Sequence, residues 1–176
     1  MKKLWPIFLT LLVLSCKEQK EGEKIVTETD PTIFNGVYMD FREMDALEGY
    51  EKVTDTSIFI EGNYDPAFRL TELKNKQHTL VLFSKSTVNE ELKEIKKVID
   101  TLIIKGIPKD NFITIGYCSL GGKYDQEIVA IVQPTNQSKI EKVVKAWKAN
   151  LKTEDFEEIY NLDSIICWNE HYLGSI

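Results

Sequence analysis

Residues 78–106 read HTLVLFSKSTVNEELKEIKKVIDTLIIKG, and the fold turns on how this stretch is taken. Its first part, His78 to Ser84, is a near-continuous apolar run of the kind a central strand presents. Its second part carries a different spacing. Val88, Leu92, Ile95, Val98, Ile99, Leu102 and Ile103 recur at intervals of three and four and form one stripe of a helix. Thr87 and Glu90 stand at the separation of a capping box, in which hydroxyl and carboxylate each take an orphan backbone N–H. Gly106 ends the pattern and Pro108 prevents its resumption. The stretch therefore predicts a strand followed by a helix over residues 88–105.

Working outward, the next patterns repeat that pair. Phe112 to Tyr117 and Glu127 to Gln133 are rich in Ile, Val and aromatic residues and read as strands. The glycines of Cys118-Ser119-Leu120-Gly121-Gly122-Lys123 make a turn between them, so the two read as a hairpin. A second helix is predicted over residues 137–150, with Asn136 as its cap and Ile140, Val143, Val144, Trp147 and Leu151 on its buried face. Trp147 lies on that stripe and reads as core. Phe156 to Tyr160 and Ile165 to Trp168 follow as strands around a turn at Asn161-Leu162-Asp163. Upstream, Phe34 to Met39 and Thr56 to Glu61 add strands, and Phe41, Met44 and Leu47 suggest a short helix within residues 41–52.

From His78 onward the order is strand, helix, strand, strand, helix, strand. That is the split βαβ order of ferredoxin-like folds. The expected fold class is α+β: a two-layer sandwich of an antiparallel sheet with two helices on one face, extended by extra strands. The expected organisation is residues 1–15 as a leader, 16–32 as a flexible tether and 33–176 as a single domain.

The start of the chain carries a separate signal. Lys2 and Lys3 precede an apolar run from Leu4 to Leu14, then Ser15 and Cys16. A basic end, a short apolar core and a small residue are the signature of a secretory signal peptide. The run of 11 residues falls short of the about 20 that a spanning helix needs. Val13-Leu14-Ser15-Cys16 resembles the lipobox of bacterial lipoproteins, with Leu14 bulkier than the family's usual residue and Ser15 in place of Gly or Ala. The resemblance covers only these residues. It implies cleavage before Cys16, lipid on that cysteine, and a chain held to a membrane of the cell envelope by several acyl chains, since one alone binds only marginally. Lys17 is not the Asp that marks inner-membrane retention in some lipoproteins, and Lys17-Glu18 loosely resembles surface-export signals. The expected location is therefore the outer membrane in preference to the inner. In residues 17–32 only Ile25 and Val26 are apolar, too few to order the segment. As a coil it would reach on the order of 20 Å.

The whole chain carries 22 basic and 28 acidic side chains. Losing Lys2 and Lys3 with the leader leaves a formal charge of −8. That surface repels phosphate backbones, and there is no Lys/Arg cluster with interleaved aromatics, so nucleic acid is not an expected partner.

Chemistry-bearing residues are few. With Cys16 assigned to lipid, Cys118 and Cys167 remain in an oxidising compartment, where two cysteines often pair. In the expected sheet they lie on strands at opposite edges, whereas a disulfide needs Cα atoms within about 7 Å. The pairing and the strand order exclude each other, and the sequence leaves both open. A thiol nucleophile needs a base at hydrogen-bond distance. Cys167 and His171 share one face of an extended strand, with Asn169 between them, but at about 6–7 Å per two residues they do not touch. Cys118 with a distant histidine is the other thiol arrangement.

The two histidines, His78 and His171, form no metal-ligand pair with a cysteine or with each other. Asp155, Glu157 and Glu158 lack the spacing of a calcium loop. Gly116 to Lys123 lacks the four-residue gap, the following Ser or Thr and the following helix of a phosphate loop. No cofactor is implied. The expected function is a membrane-anchored, non-enzymatic binding or interaction domain, with an envelope protein, a peptide or another envelope component as its partner. The alternative is a small envelope hydrolase or thiol enzyme using Cys167 or Cys118 with a histidine.

Overall fold

A computed structural model describes residues 24–62, 64–170 and 172. Residues 94–105 are extended throughout as one strand, Glu94–Lys105, and not the helix expected over 88–105. The preceding strand, Thr79–Val88, pairs with it antiparallel. Phe83 lies opposite Asp100 and Ser84 opposite Val98, so Ile99 is an extra residue. Such a bulge makes two consecutive residues share a face and shifts the alternation by one. Ile99, Leu102 and Ile104 pack into one core, while Val98 and Ile103 pack into another on the opposite side. A strand buried on both faces and slipped by one residue mimics the three-and-four spacing of a helix. Thr87 and Glu90 are not a helix cap. Thr87 belongs to the first strand, and Glu90 lies in a hairpin turn where the Asn89 carboxamide accepts from the N–H groups of Glu91 and Lys93.

The second expected helix fails for the same reason. Residues 137–150 hold two strands, Lys139–Ile140 and Val143–Asn150. On the longer one Val144 is the extra residue, because Ile131 faces Lys145 and Val132 faces Val143. Val144 and Trp147 then reach one core, and Val143 and Ala146 the other. Among the described residues there is no α-helix. The α+β, ferredoxin-like reading is thus corrected to an all-β, antiparallel one.

In chain order the strands are β1 (Val26–Glu28), β2 (Val37–Tyr38), β3 (Glu51–Ile58), β4 (Phe68–Lys74), β5 (Thr79–Val88), β6 (Glu94–Lys105) and β7 (Phe112–Ile115). There follow β8 (Cys118–Leu120), β9 (Lys123–Asp125), β10 (Ile128–Val132), β11 (Lys139–Ile140), β12 (Val143–Asn150), β13 (Asp155–Glu158) and β14 (Ile165–Trp168). They make three sheets. The first runs β1-β6-β5-β4-β3, with β2 on the other end of β6; the second runs β13-β12-β10-β7; the third runs β11-β14-β8-β9.

The sheets stack. Phe68, Leu70, Phe83 and Ile104 of the first meet Ile115, Val129, Ile131 and Trp147 of the second in the inner core. Trp147 is core, as its spacing suggested. The other face of the second sheet, through Ile128, Ala130 and Val132, packs on Cys118, Ile165 and Cys167 of the third. Strand β10 is therefore buried on both sides over its whole length. The free face of the first sheet is covered by the segment before β3, through Ile33, Tyr38, Phe41 and Leu47. Phe41–Glu43 and Asp45–Leu47 are 3₁₀ turns. A period of three is the 3₁₀ repeat, which accounts for the spacing of Phe41, Met44 and Leu47.

Three connections also differ from expectation. Strands β7 and β10 pair, but the residues between them form the β8–β9 hairpin of the third sheet, turned at Gly121 and Gly122 with φ of 59° and 80°. Residues 161–163 do not close a hairpin: a 3₁₀ turn over Leu162–Ser164 carries the chain from β13 in the second sheet to β14 in the third. Within the expected tether, Val26–Glu28 pairs with Ile103–Lys105 as β1, and Asp30 N–H donates to Thr101 Oγ1 at 2.8 Å. The leader and Cys16 lie outside the described residues.

Candidate functional site

Where the first two sheets splay apart at one end, they leave a cleft of about 540 Å³. One lip is the β4–β5 turn. There the Asn75 carboxamide accepts from the N–H groups of Gln77 and His78, which fixes a tight loop carrying Lys76. The other lip is the β6–β7 connection from Gly106 to Asn111, which carries Lys109. Ile104, Ile107, Pro108 and Ile113 supply apolar wall, and Lys74 leans in from the end of β4. The cleft falls in the size range of small-molecule sites.

At its base lies Glu72. Strand alternation puts it on the face of β4 that carries Phe68 and Leu70, toward the second sheet. It is only 6% exposed, and among the described residues no hydrogen-bond donor reaches its carboxylate. Burial raises its pKa to about 7; Lys74 opposes this and Glu170 adds to it. The contrast with Asp100, the other buried carboxylate among the described residues, is instructive. Asp100 accepts from the N–H groups of Phe156 and Thr101, each at 2.7 Å, and so clips the second sheet to the first. Arg69 is likewise held, by Glu94 at 2.5 Å and Asp55 at 3.1 Å. Buried charges normally carry such partners. Glu72 lacks one and looks into open volume.

His78 lines the same cleft. Its Nε2 is hydrogen-bonded to the Tyr50 hydroxyl, and the two rings meet edge to face. Burial, and then the charge of Lys105, push the imidazole pKa below its ordinary value. The chemistry on offer is a carboxylate able to accept a cation or a proton near neutral pH, a neutral imidazole nearby, and lysines at the rim.

The residues singled out from sequence lie elsewhere. Cys118 and Cys167 are joined by a disulfide. They face each other directly on the adjacent strands β8 and β14, so of the two exclusive expectations it is the strand order that falls. Both sulfurs are buried and bonded, so neither offers a thiolate. His171 lies outside the described residues. Glu157 and Glu158 sit on β13, where Glu157 accepts from the Asn150 amide and Glu158 pairs with Lys145. Among the described residues no group of three or more His, Cys, Asp or Glu side chains is placed to hold a metal ion. The one sequence signal for Glu72 is its alternation with Phe68 and Leu70 on a strand face where the third position should be apolar.

No known protein family, no curated protein and no solved structure matches this chain.

Proposed function

We propose that this is a lipid-anchored protein of the cell envelope that works by binding, with the cleft around Glu72 as its binding site. The observation that carries this reading is the unpartnered carboxylate at the base of an open, partly apolar cleft. The Glu72 carboxylate is largely withdrawn from water, with no hydrogen-bond donor among the described residues and only the charge of Lys74 to favour its ionised form. A ligand that supplies the missing partner gives it a use. The disulfide removes the thiols that the alternative cysteine mechanism would need.

Two experiments test the two halves. Metabolic labelling with a fatty-acid analogue should mark the chain, and Cys16→Ala should abolish the mark; persistent label on that variant refutes the anchor. For the site, amide spectra of the protein are recorded during titration with a panel of small amines, carboxylates and sugars. Shifts centred on Glu72, Ile104 and Phe112 are expected for at least one class. A panel that moves only amides remote from the cleft, or none, refutes it.

A further inference from the structure

The cleft is also placed with respect to the point at which the chain enters the fold. Strand β1 runs antiparallel to the end of β6, with Val26 opposite Lys105. Lys24 therefore lies beside the β6–β7 connection that forms one lip. A Cβ built on Gly106 would come within 2.8 Å of the Lys24 carbonyl oxygen. Residues 16–23 span at most about 28 Å even fully extended. If Cys16 carries lipid, the cleft lies within reach of the bilayer surface.

The chemistry of the cleft fits what that surface offers. Glu72, largely buried with its carboxylate facing the cleft and no hydrogen-bond donor among the described residues, has room to accept N–H groups beyond the charge of Lys74. Lys74, Lys76 and Lys109 line the same opening and call for an anion. Ile107 and Pro108 offer apolar contact beside them. A ligand with a primary ammonium and a phosphate a few bonds apart, and with hydrocarbon beyond, satisfies all three. We propose that the cleft takes the head group of an aminophospholipid from the bilayer that carries the chain, its ammonium on Glu72 and its phosphate among the three lysines. The protein then samples the composition of its own membrane.

This rests on the reading of the cleft as a binding site and of Cys16 as the anchor. The test uses the mature lipidated chain in a nonionic detergent. It is titrated with dihexanoyl phosphatidylethanolamine, the matching phosphatidylglycerol and phosphatidylcholine, and free glycerophosphoethanolamine. The ethanolamine lipid should bind at least tenfold tighter than the glycerol lipid, which has no cation, and tighter than the choline lipid, whose nitrogen has no N–H. Glu72→Gln should lower that affinity tenfold or more and leave the glycerol lipid unchanged. This variant removes a buried charge and keeps the shape, so it should fold. Equal affinity of Glu72→Gln and the parent for the ethanolamine lipid overturns the proposal, as does a glycerol lipid that binds as tightly. Free glycerophosphoethanolamine matching the intact lipid overturns the bilayer as source and leaves a soluble zwitterion. If other small molecules shift the amides around Glu72 while no ethanolamine compound does, the lipid inference fails and the binding site stands. If no compound does, both fail.

Discussion

At the scale of single residues, Glu72 makes the sharpest prediction. Its carboxyl titrates at about 7 in the folded chain, against an ordinary value of 4.5. A carboxyl whose folded pKa is raised binds its proton more tightly in the native state. Below pH 4.5 it is protonated in both states and costs nothing. Between 4.5 and 7 the unfolded chain gives up the proton first, so stability falls as pH rises, and above 7 the loss is complete. The size of the shift corresponds to roughly 3 kcal/mol. Glu72→Gln should therefore stabilise the unliganded protein at pH 8 by about 1–3 kcal/mol and leave it unchanged at pH 4. Urea denaturation at the two pH values measures this, and a variant less stable at pH 8 contradicts the account of an unpartnered charge. This residue was legible only in retrospect, because a glutamate on an apolar strand face stands out only once the strand is known. For His78, by contrast, nothing in the sequence placed it beside Tyr50.

At the scale of elements, the bulges at Ile99 and Val144 decide the outcome. The runs at 78–84, 112–117, 127–133 and 165–168 were legible as strands because they are short and rich in aliphatic, β-branched and aromatic residues. Strands β6 and β12 were not. Burial on both faces blurs the alternation of two, and the inserted residue recreates the spacing of a helix. Asp100 and Thr101 deepened the disguise, since two polar residues in a strand look like a helix's wet face. In the fold both are buried and bonded, to Phe156 and Asp30. The neglected cue was composition, with Ile95, Val98, Ile99, Thr101, Ile103 and Ile104 all β-branched. Deleting Ile99 removes the bulge but leaves Ser84 opposite Val98 and Phe83 opposite Asp100, so the pairing of β6 survives and only one side chain leaves the inner core. That deletion should cost about 2–5 kcal/mol for the lost side chain, whereas deleting Leu102, which pairs regularly with Val81, forces one end of β6 to exchange its faces and should cost more. Denaturation midpoints of the two variants separate a bulged strand from one indifferent to register.

At the scale of the whole molecule, three sheets share two internal cores, and the third is the smallest. Its strands are two to four residues long, so it has little to hold it beyond the apolar seam and the Cys118–Cys167 bond. The bond closes a segment with a sequence separation of 49, for which loop-closure entropy gives about 4 kcal/mol. Replacing both cysteines by alanine should lower stability by nearly that amount, read by denaturant melts with and without reductant. A parent that loses nothing on full reduction shows the third sheet to be held by packing alone. The order of the sheets along the chain has one more consequence. The first is drawn from a single continuous stretch, residues 26–105, whereas the second and third are interleaved between residues 112 and 168. Whether it leaves a ribosome or a translocation pore, the amino end comes first. Every nascent copy thus passes through a stage in which all the strands of one greasy plate are out and its lid is not, and the last few dozen residues to emerge are the ones that shut it.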